Sequence, residues 1–251
     1  MIIKKTPSQI AKMERAGRML AEVIAELGDA VKPGVMLKEL DEMADRSIRL
    51  RGAVPSFLGY RGFPATICAS PNEVVVHGIP GDQKLEEGDI FSADFGLILD
   101  GWHADSACTF AVGDIAPEAR RLLEVTVQSL EAGIAQCRAG NRLGDVGHAI
   151  EEVVAKAGFS VVREFVGHGI GRSLHEDPQV PNFGEPGRGP MLEEGWVLAV
   201  EPMVTMGDWR TKILDDGWTV VTADSSLSAH FEHTVAVTSD GPKILTAAPT
   251  A

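Results

Sequence analysis

The sequence predicts an α+β fold. Three observations carry that reading: capped amphipathic helices at three-and-four spacing, apolar strand-like runs around a hairpin signal, and no Ser- or Pro-rich linker between them. One domain over residues 1–251 is therefore expected, with helices outside a curved antiparallel sheet.

The elements follow in chain order. Thr6 caps the first helix, Pro7 suits its first position, and Gln9 completes a capping box. Ile10, Met13, Ala16, Leu20, Val23 and Leu27 follow on one face, and Gly28 reads as the stop. After the Pro33-Gly34 turn, Leu37, Leu40, Ala44 and Ile48 form a second helix ending near Gly52. Strand-like runs cover 66–70, 73–77, 90–99 and 102–112. Two helices are expected over 117–139 and 143–157, then strands over 160–165, 195–206, 219–221 and 230–238.

Composition excludes several classes. Hydrophobic residues make up 44% of the chain, too many for disorder, yet no apolar run approaches the ~18 residues of a membrane span. The N-terminus lacks the apolar core of a signal peptide. Cys68, Cys108 and Cys137 are odd in number and without a CxxC pair, which favours a reducing, cytoplasmic setting. A net charge of −13 argues against nucleic acid as a ligand. That charge is uneven: residues 1–52 carry a net +2, and residues 53–251 a net −15. The question is which carboxylates lie inside apolar strands.

One internal repeat is visible. Leu85-Glu86-Glu87-Gly88 leads to Asp94, and Leu192-Glu193-Glu194-Gly195 leads to Glu201, each carboxylate nine residues after its Leu. Upstream, His77-Gly78-Ile79 matches His168-Gly169-Ile170. A duplicated half-domain would place one site between its halves.

The carboxylates of interest are Asp94, Asp105, Glu201 and Glu232. Asp100-Gly101 is a type I′ hairpin signal. With that turn Asp94 opposes Ala107 and Asp105 opposes Gly96, so Asp94 and Asp105 share a face as diagonal neighbours, Cβ atoms roughly 7 Å apart. Glu201 ends the apolar run Trp196–Val200, and Glu232 precedes Val235-Ala236-Val237. An unpaired carboxylate in such a strand is costly, so each needs a cation, a hydrogen-bond network or a bend towards water. His77 sits at a strand end, and His168 and His175 in a Gly-rich bend. His230 and His233 flank Glu232 and read as supporting residues rather than ligands. Four carboxylates and one neutral His suit Mn(II), Fe(II) or Co(II), with Zn(II) possible.

These residues resemble those of the type I methionine aminopeptidases, in the minimal bacterial form. The likeness is most specific over 72–80, 94–105, 167–180 and 225–234, with Gly217-Trp218 upstream. It implies the pita-bread fold, two αβ halves related by a pseudo-twofold axis. It implies two divalent ions held by Asp94, Asp105, His168, Glu201 and Glu232, with Asp105 and Glu232 bridging. It further implies Glu201 as general base, His175 as the residue that stabilises the tetrahedral intermediate, and His77 as a substrate contact. Tyr60, Phe63, Cys68, Leu174 and Trp218 resemble the lining of a methionine side-chain pocket. Leu174 stands where several relatives carry Phe, and Phe57 and Val76 where some carry Cys.

The implied reaction removes the initiator Met of nascent chains whose next residue is small. Only 25 residues separate His175 from Glu201, too few for the helical subdomain of type II enzymes. Two alternatives stay open: a proline-directed peptidase of the same fold, and a catalytically dead scaffold. A monomer without membrane attachment is expected, with ribosome association to which Lys4, Lys5, Lys12, Arg15 and Arg18 could contribute.

Overall fold

The structure, a computed structural model, describes residues 2–248. Helix α1 (Pro7–Ala30) opens with the expected reciprocal cap: Thr6 Oγ1 accepts from the Gln9 amide, and Gln9 Oε1 accepts from the Thr6 amide at 2.8 Å. It runs past Gly28 to Ala30. Gly28 answers a packing demand instead of a stop, because a Cβ there would lie 2.8 Å from the Phe110 ring. Gly17 is the same case: a Cβ would meet the Leu245 carbonyl oxygen at 2.2 Å. Helix α2 (Leu37–Leu50) follows as expected.

The first half continues through β1 (Val54–Pro55), β2 (Ile67–Pro71), β3 (Val74–Val76), β4 (Ile90–Leu99) and β5 (Trp102–Ala111). Asp100 and Gly101 have φ of 52° and 75°, the double positive φ that a type I′ turn needs. The β4–β5 register is the expected one, with Leu99 opposite Trp102 and Gly96 opposite Asp105. Helices α3 (Pro117–Gln136) and α4 (Leu143–Lys156) open the second half. Then come β6 (Ser160–Val161), β7 (Gly167–Gly169), β8 (Glu176–Val180), β9 (Val197–Val200), β10 (Met203–Thr205), β11 (Thr211–Ile213), β12 (Val220–Thr222), β13 (Ser228–His230), β14 (His233–Thr238) and β15 (Gly241–Ile244).

Three expected strands differ. The 160–165 run pairs only over two residues. The 195–206 run breaks at Glu201-Pro202, where a residue without an N–H cannot continue the ladder. The 230–238 run breaks at Phe231-Glu232. Both breaks fall on the candidate carboxylates, yet neither bend brings its side chain to water: Glu232 is 2% exposed and the Glu201 side chain 14%.

Strand pairing is antiparallel throughout the described residues. β4 is flanked by β1, β2 and β5, while β15-β14-β9-β7-β8 form the main sheet of the second half. α1 and α2 bury Leu20, Leu27, Leu40 and Ile48 against Phe91, Phe95 and Leu97. α3 and α4 bury Leu122, Val146 and Ile150 against Leu198, Val200 and Val235. The sequence repeat is a structural one: Gly88 and Gly195 have φ of 93° and 91°. Their amides donate to matching carbonyls, Val112 at 2.9 Å and Val237 at 3.0 Å.

The halves meet along β5 and β14. Thr234 Oγ1 accepts from the Asp105 amide and donates to the Asp105 carbonyl. Ser106 Oγ donates to the Glu232 carbonyl, and the Glu232 amide donates to Ala107 O. These bonds set Asp105 and Glu232 against each other at the seam.

One of the basic residues considered for surface docking is not on the surface. Lys5 is buried, its Nζ 2.6 Å from Glu176 Oε2. Lys4 pairs with Glu193, Arg15 with Asp100 and Arg18 with Glu14.

Candidate active site

Between the halves lies a cavity of about 160 Å³. Its floor brings together Asp94, Asp105, His168, Glu201 and Glu232. The β4–β5 register turns Asp94 and Asp105 to one face. His168 comes from β7, held against β9 by its pairing with Ala199. Glu201 and Glu232 stand where the β9–β14 ladder ends at Val200 opposite His233.

His168 Nδ1 lies 2.9 Å from the Gly169 carbonyl. A carbonyl only accepts, so the proton sits on Nδ1 and the Nε2 lone pair faces the cavity. Nε2 is 3.6 Å from Asp105 Oδ2 and 3.5 Å from Glu201 Oε1. Ligand atoms of Asp105, His168 and Glu232 all lie within 4.8 Å of one another.

Burial, reinforced by the Asp105 charge nearby, pushes the carboxyls of Asp94, Glu201 and Glu232 well above the usual carboxylate range. Asp94 Oδ1, Asp105 Oδ1 and Glu232 Oε1 are buried without a hydrogen-bond partner. Crowded acids, orphaned oxygens and a His presenting its lone pair fit a divalent cation, which would satisfy all three at once.

Around this floor, His175 Nδ1 lies 2.8 Å from Tyr60 Oη, its ring stacked on Tyr60 at 5.3 Å and 4.2 Å from the His168 ring. Burial, with His168 second, lowers His175 to about 4, leaving it neutral at pH 7. His77 has φ of 60°, a strained backbone for a non-glycine residue. Its ring meets Phe165 and Trp218 edge-on. The apolar wall is Phe63, Cys68 and Leu174 with Tyr60 and Trp218, the last edge-on to Phe63 at 5.1 Å. All twelve residues singled out in the sequence line this one cavity.

Three neighbours were not singled out as pocket residues. Phe57 and Arg61 complete the lining, Arg61 with its guanidinium 5.4 Å from the Tyr60 ring centre. Phe57 is a position already noted as Cys in some relatives of the resembled family, whereas Arg61 carries no sequence signal that separates it from an ordinary surface residue. His230 is buried with an unpartnered Nε2, 3.7 Å from Glu201 Oε2. Its place beside Glu232 was the available clue. His233, by contrast, points to Thr246 Oγ1 at 2.9 Å. Cys68 is 5% exposed and burial pushes its thiol well up, so it serves as a neutral wall atom.

A profile of metallopeptidase family M24 matches residues 11–239. The chain belongs to that family. Among its relatives, the methionine aminopeptidase of Clostridium perfringens is 54% identical over 98% of this chain and 99% of its own length. Methionine aminopeptidase 1 of Bacillus subtilis is 52% identical over the same shares. The crystal structure of the methionine aminopeptidase from Rickettsia prowazekii superposes with a TM-score of 0.97 at 44% identity, covering 98% of this chain and 100% of that one. The prolidase of Pyrococcus furiosus, at 20% identity and a TM-score of 0.79, shares the fold. Within M24 this chain is therefore a methionine aminopeptidase with the pita-bread fold, a hydrolase that removes N-terminal methionine.

Proposed function

We propose that this chain removes the initiator methionine of nascent polypeptides whose second residue is small, using two divalent cations. The observation that carries the reading is the convergence of five candidate ligands, Asp94, Asp105, His168, Glu201 and Glu232, on the floor of an apolar-walled cavity. Asp105 and Glu232, tied across the seam through hydrogen bonds of their neighbours, would hold the cations from both halves. Divalent cations held there would supply positive charge to activate a water and polarise a carbonyl. The oxygen-rich set favours Mn, Fe or Co, with Zn fitting less well.

The remaining chemistry belongs to side chains. Glu201, whose Oε1 lies 3.5 Å from His168 Nε2 in the cavity, takes the proton of the attacking water. His175 Nδ1 and Tyr60 Oη share a hydrogen bond of 2.8 Å; with Tyr60 as its donor, the imidazole proton is on Nε2. His175 then donates from Nε2 to the oxygen of the scissile carbonyl as charge develops on it. His77 contacts the substrate near the same bond. Phe63, Cys68, Leu174, Tyr60 and Trp218 receive the methionine side chain, whose thioether suits aromatic edges and a neutral thiol. The enzyme works as a cytoplasmic monomer meeting chains as they leave the ribosome. No described helix is long and apolar enough to cross a membrane.

The test is release of Met from Met-Ala-Ser with added Mn or Co, beside a Xaa-Pro peptide and with metal content measured on protein purified without added metal. Metal-dependent release from Met-Ala-Ser alone is expected. Cleavage of the Xaa-Pro peptide instead, or no metal-dependent release, would overturn the reading.

A further inference from the structure

The loop from Ile170 to Glu176 carries two cavity residues, Leu174 and His175. With Gly169 and Gly171 at its start and one short internal bond, Gly171 N–H to Ser173 O at 3.1 Å, it has little stiffness of its own. Its shape is imposed from beneath by Glu176. Oε1 accepts from the amides of Arg172 at 2.9 Å and Ser173 at 3.2 Å. Oε2 accepts from Lys5 Nζ at 2.6 Å. The Lys5 and Glu176 side chains are 2% and 6% exposed. The pair fills the space under the loop: a Cβ on Gly171 would lie 2.6 Å from both Glu176 Oε1 and Lys5 Cε.

Lys5 is itself fixed, because its amide donates to the Gly195 carbonyl at 2.7 Å in the turn before β9. A buried ion pair adds little net stability compared with apolar packing of the same volume. Its distinguishing property is direction: two oxygens aimed at two defined donors on one side and one cation on the other.

We propose that Glu176, oriented by Lys5, is a positioning residue that holds the Arg172–His175 backbone so that His175 faces the scissile carbonyl. The proposal rests on the reading of His175 given above. Glu176 lies beneath the loop and bonds the Arg172 and Ser173 amides, not Leu174, so its loss falls mainly on kcat through His175.

The experiment compares two charge-free pairs. Lys5→Met/Glu176→Gln keeps an oxygen for the loop amides, whereas Lys5→Met/Glu176→Leu does not. Expected is near-wild-type kcat on Met-Ala-Ser for the first. For the second, kcat falls on the order of 10-fold or more with KM changed less than about threefold and metal content unchanged. In a His175→Ala background, adding Lys5→Met/Glu176→Leu changes kcat by less than about twofold, since the residue being positioned is gone. Should the leucine pair not fold, Glu176→Asp carries the same expectation, because its carboxylate falls one methylene short of the loop amides. Equal kcat for the two pairs, or an undiminished loss in the His175→Ala background, overturns the proposal. A His175→Ala enzyme with full kcat would instead overturn the role assigned to His175, a separate and recognisable outcome.

Discussion

Replacing Glu232 with Gln should stabilise the metal-free protein while weakening its response to metal. Ligand atoms of Glu232 and Asp105 lie within 4.8 Å of each other. Two unit charges at that distance repel by about 3.5 kcal/mol at an effective dielectric of 20. Whether the Glu232 carboxyl endures that repulsion or keeps a proton to avoid it, folding bears the cost, and a neutral amide escapes it. In chelator, Glu232→Gln should therefore gain about 1–3 kcal/mol, a rise in Tm of roughly 2–12 °C for a chain of this size. With Mn at about 100 times Kd the wild type gains about 2.7 kcal/mol, and the variant, one ligand short, gains less than about 1. Differential scanning calorimetry with and without chelator reads both effects. A variant that melts at or below wild type in chelator, or that responds to Mn as wild type does, refutes the placement of these acids around a cation.

Further expectations follow from the same geometry. Glu201→Gln should lower kcat by about 10²–10⁴-fold with a far smaller change in KM, and a change confined to KM would contradict its role as base. Gly17→Ala should destabilise by about 1–3 kcal/mol in urea unfolding, because the Cβ would lie 2.2 Å from the Leu245 carbonyl oxygen and that clash outweighs a helix-propensity gain of about 1 kcal/mol. Amides of Asp208 and Ser226 and the Ser226 hydroxyl hold the exposed Asp224 carboxyl down to about 2. Its contribution is whole above the ordinary carboxylate value and fades as pH falls through about 2, so Asp224→Asn should lower Tm at pH 6 and leave it unchanged at pH 1.5.

What the sequence revealed and what it concealed divide by range. The Thr6–Gln9 box and the Asp100-Gly101 turn are local devices, and each specifies its geometry within four residues. The hairpin register then fixes the relation of Asp94 to Asp105 without knowledge of anything else. Gly28 misleads because a helix stop and a close approach to Phe110 call for the same residue, and Phe110 is far along the chain. The breaks at Pro202 and Glu232 were hidden inside continuous apolar runs, although Pro202 marked one of them. Lys5 looked like one more charge on a basic arm, since its partner Glu176 lies 171 residues away. His230 differs, because its pairing with Met203 sets it beside Glu201 within the second half alone.

The seam between β5 and β14 has a consequence for when activity can arise. Of the five proposed ligands, Asp94 and Asp105 belong to the first half, and His168, Glu201 and Glu232 to the second. The loop bearing His175 faces Tyr60 across the same boundary. A chain with one half folded and the other still forming has neither a complete cation cradle nor an assembled pocket. With the ligands proposed here, peptidase competence is thus a property of the last docking event.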